Sequence, residues 1–185
     1  AAVHMGYHAE STADPTAIGT GRRQWAQVVF SRPRSLEERR GVPPLIPWGE
    51  ADLLLGYDPD AVMQAVDPTG TLRAASQRHT YMVVNSGRFS DHPESAREDE
   101  QGDDAMKDYL TSCGHSSGVV VADVCAACRF HFHNERLADL VLLGMAWQAG
   151  WMPITLDAMQ LALRELEAQG LARLREAFDF GRAAS

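Results

Sequence analysis

The strongest structural signal in the chain is Asp52-Leu53-Leu54-Leu55-Gly56-Tyr57-Asp58-Pro59-Asp60. Its aliphatic run is unbroken, as expected of a strand that is buried on both faces of a parallel sheet. Asp58 can then cap a helix, Pro59 fits the first helical position, and Asp60 complements the positive helix end. These residues therefore predict a strand over 52–55 that leads directly into a helix. The side chains expected to face inward from this helix are Val62, Met63 and Val66.

Further strands are predicted on both sides of this stretch, with helical segments between them. They cover residues 7–11, which is the weakest, and residues 24–30, 81–84 and 119–122. This alternation indicates an α/β fold with a Rossmann-like, mostly parallel sheet covered by helices. Such a sheet normally begins with a strand, a glycine-rich turn and a helix. Nothing before Gly6 supplies them, so we expect a sheet that lacks its first strand and glycine-rich turn in this chain.

The last third of the chain predicts helices. Residues 124–149 favour one helix that is apolar nearly all round from 137 to 147, and Gly150 and Pro153 end it. Thr155 caps the next helix. We therefore divide the chain into an α/β domain over residues 1–123 and C-terminal helices over residues 124–185 that pack on it. The inward residues of the last helices are predicted to be Leu156, Met159, Leu163, Leu166, Leu171, Leu174 and Phe178.

The composition limits the classes of function. The chain has 185 residues, of which 45% are hydrophobic and 23% charged, so it is not disordered throughout. Its net charge of -8 argues against a nucleic-acid partner. No segment is long and apolar enough for a membrane span, and no charged start followed by an apolar core marks a secretory signal. We therefore expect a cytoplasmic protein whose three cysteines are reduced thiols. Residues 90–108 are rich in acidic side chains, and we expect an exposed excursion there.

Two regions carry a resemblance to a known family. The first reads Pro44-Leu45-Ile46-Pro47-Trp48-Gly49-Glu50-Ala51-Asp52-Leu53-Leu54-Leu55-Gly56. The second begins with Asn134-Glu135-Arg136-Leu137, continues through Leu143-Gly144-Met145-Ala146-Trp147-Gln148 and ends with Ala177-Phe178-Asp179-Phe180-Gly181-Arg182. In this order they resemble the gamma-type domain of the 2-oxoacid:ferredoxin oxidoreductases, and within them the indolepyruvate (arylpyruvate) branch.

The resemblance implies a component of an enzyme that oxidatively decarboxylates arylpyruvates such as indolepyruvate. Thiamine diphosphate, Mg and [4Fe-4S] clusters would lie in partner subunits or domains, and ferredoxin would accept the electrons. The chain would complete the active-site wall and the assembly interface, and would not be active alone. The resemblance does not separate indolepyruvate from phenylpyruvate, and it leaves the use of coenzyme A (CoA) open.

Two short segments are the candidates for facing the substrate or CoA. A pair of closely spaced glycines is followed by two arginines, which offer fork-shaped donors to a carboxylate or phosphate. A solvated tight turn is the simpler interpretation of these residues, and the resemblance favours the functional one. A polar pair also follows the strand over 81–84, at the edge where open parallel sheets bind ligands. The candidate residues are Gly19, Thr20, Gly21, Arg22, Arg23, Asn85 and Ser86.

The alternative function is a non-catalytic Rossmann-like binding or scaffold module with a structural metal. Cys125 and Cys128 have the spacing of a zinc-ribbon pair, and Cys113, His115, His131 and His133 are near in sequence. On a helix, however, two residues three positions apart share a face, as two small buried side chains also do. A second spaced pair of ligands is missing from the sequence, so the oxidoreductase component is the preferred interpretation.

Overall fold

A computed structural model of the chain describes residues 1–13, 25–33, 35, 37–38, 45–70, 73–87 and 100–185, except the side chains of 100–103. These residues fall into two compact units. The first comprises residues 1–47 and 153–172, and the second comprises residues 48–152 and 173–185. The boundary predicted between residues 123 and 124 falls inside the second unit, where the helix over residues 138–148 packs against strands that precede the boundary.

The first unit contains an antiparallel strand pair. Strand β1, His8–Ala13, pairs with β2, Ala26–Ser31, in the register that joins His8 to Ser31 and Ala13 to Ala26. Both strands are present near the predicted positions, but they are not part of the parallel sheet. In β1 more and less exposed residues alternate, which is typical of an antiparallel strand with one covered face.

Two helical segments complete this unit. A short 3-10 helix covers Ala2–Met5, and α5 covers Leu156–Ala168 with Thr155 as its cap. A side-chain contact connects the two segments, because His4 Nε2 lies 3.2 Å from Glu165 Oε2. Met159 and Leu163 face inward as predicted, whereas Leu166 and Leu171 are exposed.

The second unit contains the predicted parallel sheet. Its three strands are β3, Leu53–Gly56, β4, Tyr81–Asn85, and β5, Val119–Ala122, and they lie in the order β3-β4-β5. Helix α1, Pro59–Val66, follows β3, and helix α2, Glu100–Cys113, precedes β5. The mixed α/β fold with a parallel sheet is therefore confirmed.

One face of the sheet packs against α1 and α2. The core residues on this side are Val62, Val66, Ala75, Met82, Val84 and Leu110. Met63 was predicted to face inward but is exposed. The exposed excursion predicted over 90–108 is helical where it is described, because residues 100–108 belong to α2. Residues 104, 105, 107 and 108 are exposed as predicted, and residues 90–99 lie outside the described part. Met106, Leu110 and Cys113 form a helical apolar stripe among the acidic side chains.

The C-terminal helices of this unit are α3, Val124–Phe132, α4, Ala138–Gln148, and α6, Leu174–Ala183. The single helix predicted over 124–149 is interrupted, because His133 adopts a left-handed conformation and Asn134 caps the 3-10 turn Glu135–Leu137. Helix α4 packs against β3 and β4 and is covered in turn by α6. Val83, which alternates with Met82 and Val84 along β4, is also buried.

Candidate functional site

The carboxyl ends of the three parallel strands bring together the turns that follow them. Tyr57 and Asp58 follow β3, Ser86 and Gly87 follow β4, and Asp123 follows β5. This edge, defined here as residues 57–58, 85–87 and 123–125, is where open α/β sheets place their ligands. We call it the carboxyl edge.

Asn85 is the centre of the carboxyl edge. Its Nδ2 lies 3.0 Å from the Tyr57 carbonyl oxygen, 2.6 Å from the Gly87 carbonyl oxygen and 3.2 Å from Cys125 Sγ. Its Oδ1 accepts from the backbone N–H groups of Gly87 at 3.1 Å, Val124 at 3.0 Å and Cys125 at 3.2 Å. A single carboxamide therefore joins the turns after all three strands.

The structure places Asn85 inside the chain. It is 0% exposed, and its predicted role toward a substrate or CoA stays a prediction. The sequence suggested a polar residue with no task in the core, whereas its contacts satisfy backbone groups that would otherwise be buried without partners. Leaving such groups unpaired costs about 1 to 3 kcal/mol each. The sequence does not reveal that Tyr57 and Cys125 are hydrogen-bond partners of Asn85, because the three residues are far apart in sequence.

Ser86 and Gly87 form the outer part of this turn. Ser86 is partly exposed, and its N–H donates to the Ala122 carbonyl at 3.0 Å, which extends the pairing of β4 with β5. At Gly87 a Cβ atom would lie 1.8 Å from Asp123 Oδ1, so this position has no room for a side chain. The role predicted for Ser86 stays a prediction. The Asp123 carboxylate lies beside the neighbouring residue, Gly87.

Two aspartates cap the helices that begin at the carboxyl edge, as the sequence indicated for Asp58. Asp58 Oδ1 accepts from Asp60 N at 2.9 Å, and Asp123 Oδ1 accepts from Ala126 N at 2.7 Å. Helix N-termini can bind anions because their N–H groups are free and their dipole end is positive. Here each cap carboxylate already uses an N–H group and adds negative charge. Phosphate binding at these two helix ends is therefore unfavourable.

The two cysteines of α3 are buried thiols. Burial is the main cause that raises the pKa of Cys125 to about 12 and that of Cys128 to about 11. Without a bound metal ion, both thiols are therefore neutral near pH 7. The described residues contain no group of three or more His, Cys, Asp or Glu side chains arranged to hold a metal. Metal analysis of the purified chain would test the scaffold alternative directly.

Tyr57 is a half-buried phenol at the end of β3. Burial, followed by the nearby Asp139 carboxylate, raises the pKa of Tyr57. Asp139 lies in the first turn of α4, where its Oδ1 accepts from Leu140 N at 2.8 Å, and desolvation raises its own pKa. Tyr57 therefore stays protonated at neutral pH and can act as a hydrogen-bond donor.

The remaining candidates, Gly19, Thr20, Gly21, Arg22 and Arg23, lie outside the described residues. In sequence they fall between β1 and β2, whose ends Ala13 and Ala26 are paired. Their predicted role toward the substrate or CoA stays a prediction.

A polar residue at the other end of β4 was missed. Thr80 is 0% exposed, and its Oγ1 donates to the Ala51 carbonyl at 2.6 Å and accepts from Ser76 N at 2.8 Å. The sequence signal is a hydroxyl next to the buried run 81–84. Thr80 stabilises the amino end of the strand as Asn85 does the carboxyl end.

Comparison with known proteins finds neither a family model nor a curated protein that matches the chain. Among the described helices, none is both long and apolar enough to cross a membrane.

Proposed function

We propose that the chain is a gamma-type component of a thiamine-dependent 2-oxoacid:ferredoxin oxidoreductase that acts on arylpyruvates such as indolepyruvate. In this proposal the enzyme is cytoplasmic, and partner subunits or domains hold thiamine diphosphate, Mg and [4Fe-4S] clusters. The thiamine supplies the carbanion chemistry of decarboxylation, and the clusters pass electrons to ferredoxin. This chain forms part of the active-site wall and of the assembly interface.

The observation that carries the proposal is the contact between two separated segments of the family resemblance. Trp147 in α4 and Phe178 in α6 have ring centroids 6.2 Å apart, and the Arg182 guanidinium lies 4.8 Å from the Trp147 ring centroid. Arg182 Nε also lies 3.3 Å from Gln148 Oε1. The residues 146–148 and 177–182 therefore form one packed cluster, and this contact supports the proposal.

The chemistry of the carboxyl edge supports a component whose cofactors lie elsewhere. The carboxylates of Asp58 and Asp123 accept from N–H groups at the starts of α1 and α3, and Asn85 uses its hydrogen-bonding groups within the chain. These residues do not fit a phosphorylated cofactor at this edge. A surface that contacts partner chains suits this arrangement better.

The test is reconstitution. The chain should show no 2-oxoacid-dependent dye reduction alone, and should be required for it when thiamine-binding and iron-sulfur subunits from the same operon or polypeptide are added. Indolepyruvate and phenylpyruvate should be better substrates than pyruvate. Activity of the chain by itself, or full activity of the partners without it, would overturn the proposal.

A further inference from the structure

We propose that the outer edge of β5 pairs with the same edge of a second copy of this chain. The two strands run antiparallel about a two-fold axis at Val120, so that the two parallel sheets become one continuous sheet. This pairing needs no thiamine-bearing or iron-sulfur partner. It is therefore independent of the proposed function.

The first argument is the direction of the backbone groups in β5. The carbonyl groups of Gly118 and Ala122 accept, at 2.7 and 3.0 Å, from N–H groups of β4 and of the turn after it. Backbone groups of alternate residues in a strand point to opposite sides, so residues 118, 120 and 122 face β4. The N–H and C=O groups of Val119 and Val121 therefore point away from the sheet. In the described part of the chain, none of these outward groups has a hydrogen-bond partner.

The second argument is the composition of this edge. Strand β5 consists of valines and an alanine, all of them half-buried, and contains neither a charged residue nor proline. Soluble proteins usually protect a sheet edge with charged side chains, proline or a bulge, because unpaired backbone groups on an apolar strand bind another strand. An added strand pairs those groups and covers the valines. The β5 edge therefore has the chemistry of a strand-pairing surface.

Strand β5 is complementary to itself about the axis at Val120. Val119 of one copy lies opposite Val121 of the other, and each such pair exchanges N–H···O=C bonds in both directions. All the outward groups of both strands are thus paired, and Val120 faces Val120 of the second copy. The interface is isologous, so that pairing ends at a dimer. The chain itself therefore supplies the added strand.

The charges near β5 also fit this antiparallel pairing. The charged residue directly after β5 is Asp123, which lies opposite Ser117 of the second copy. The two Asp123 carboxylates are about 20 Å apart along the strands. This separation is more than twice the screening length of about 8 Å at physiological ionic strength, so their repulsion is weak. Gly118 lies opposite Ala122, and small residues therefore meet at both ends of the pair.

The other outer strand of the sheet, β3, does not fit such a pairing. Ala51 N donates to the Ala74 carbonyl at 3.0 Å, so another segment of the chain lies beside the start of β3. A two-fold axis at Leu54 would also place Glu50 opposite Asp58 of the second copy. Like charges directly opposite each other destabilise a strand pair. The second copy is therefore assigned to β5.

Charge complementation tests the axis at Val120. Val120→Lys and Val120→Glu each place two like charges opposite each other, so each variant alone should be monomeric where the wild type is a dimer. An equimolar mixture of the two should form a heterodimer, which native mass spectrometry identifies by its mass. Leu55→Lys is the matched control, because Leu55 lies on the same face of the sheet and is 39% exposed. It should remain a dimer.

Sedimentation equilibrium of the wild-type chain gives the affinity. A strand-edge interface is small, and we expect a Kd on the order of 10 to 100 µM. A wild-type chain that is monomeric at about 1 mM would overturn the proposal. Dimers of Val120→Lys or Val120→Glu alone, or a folded mixture of the two that stays monomeric, would overturn it as well.

Hydrogen exchange tests the edge without any substitution. The Val119 and Val121 amides should exchange at least about tenfold more slowly in the dimer than in the diluted monomer, because only the dimer pairs them. The Val120 and Ala122 amides, which face β4, should be protected at both concentrations. If dilution leaves the exchange of Val119 and Val121 unchanged, the β5 edge is not the interface and the proposal is wrong.

Discussion

At the scale of single residues, burial decides the chemistry of the cysteines. Cys125 and Cys128 are buried neutral thiols, and Cys113 is partly exposed. At about pH 8 the thiolate fraction is roughly one in ten thousand for a pKa near 12 and one in a thousand for a pKa near 11. Iodoacetamide should therefore label Cys113 first in the native chain, and the other two only after unfolding. Peptide mass spectrometry would show this, and native labelling of Cys125 at the rate of Cys113 would contradict the buried assignment.

A second prediction at this scale concerns Arg22 and Arg23. If either arginine holds the 2-oxoacid carboxylate or a CoA phosphate, its loss removes a charge-assisted contact worth about 1.5 to 3 kcal/mol. Single replacements by Ala in the assembled enzyme should then raise the Michaelis constant for the 2-oxoacid or CoA roughly ten- to a hundredfold. Arg78→Ala, at an exposed position, is a suitable control. Unchanged constants in an intact assembly would assign both arginines to a solvated turn.

At the scale of secondary-structure elements, two glycines allow α4 and α6 to approach each other closely. A Cβ at Gly144 would lie 2.1 Å from the Phe178 carbonyl oxygen, and one at Gly181 would lie 2.0 Å from the Val141 carbonyl oxygen. Because the obstacles are backbone atoms, the helices would have to move apart. Gly144→Ala should therefore destabilise the chain by about 1 to 3 kcal/mol in urea unfolding, although Ala is the better helix former.

The control for this helix crossing is Ala183→Gly at an exposed position of α6. It should cost no more than about 1 kcal/mol, which is the difference in helix propensity. If Gly144→Ala instead stabilised the chain, the close approach of the two helices would be wrong.

The break between α3 and α4 gives another prediction at the scale of elements. Asn134 Oδ1 accepts from Arg136 N at 3.1 Å, and His133 has a φ of 53°. Asn134→Ala should destabilise the chain by about 1 kcal/mol through loss of the cap. His133→Gly should not destabilise it, because glycine adopts the left-handed conformation without strain. Thermal unfolding of both variants checks the pair, and a stable Asn134→Ala variant would contradict the capping role.

At the scale of the whole molecule, the buried acidic groups predict how stability depends on pH. Burial raises the pKa of Cys125, Cys128 and Tyr57 above their ordinary values of 9.0 and 10.0. The folded chain therefore keeps these protons longer than the unfolded chain. Their contribution to stability is complete below about pH 9 and is lost as pH rises through about 11 to 12.

Urea unfolding between about pH 8 and pH 11 should show this loss. In the double variant Cys125→Ala and Cys128→Ala the free energy of unfolding should fall less steeply over the same range, whatever its starting value. An equal slope in the variant and the wild type would mean that the two thiols do not contribute.

The sequence alone determined the three strands of the parallel sheet and the starts of α1 and α3, because each of these signals is local. An unbroken aliphatic run predicts a buried strand, and Asp58 and Asp123 cap the helices that follow β3 and β5. The stripe of Leu174 and Phe178 likewise follows from helical periodicity. Local signals could not show that β1 and β2 pair with each other outside the parallel sheet. The same short sequence patterns occur in strands of both kinds of sheet.

Only the tertiary structure decided the roles of Asn85 and of the glycines in the helix crossing. Asn85 meets Tyr57 and Cys125 from distant positions in the chain, so its polar side chain suggested an exposed site although it is part of the core. In the sequence, Gly144 and Gly181 are only residues of low helix propensity. The structure shows that each lies where the backbones of α4 and α6 approach closely. The physical reason is common to both cases. Hydrogen-bond satisfaction and close packing are properties of groups that meet in space, and sequence periodicity reports only which face of an element is buried.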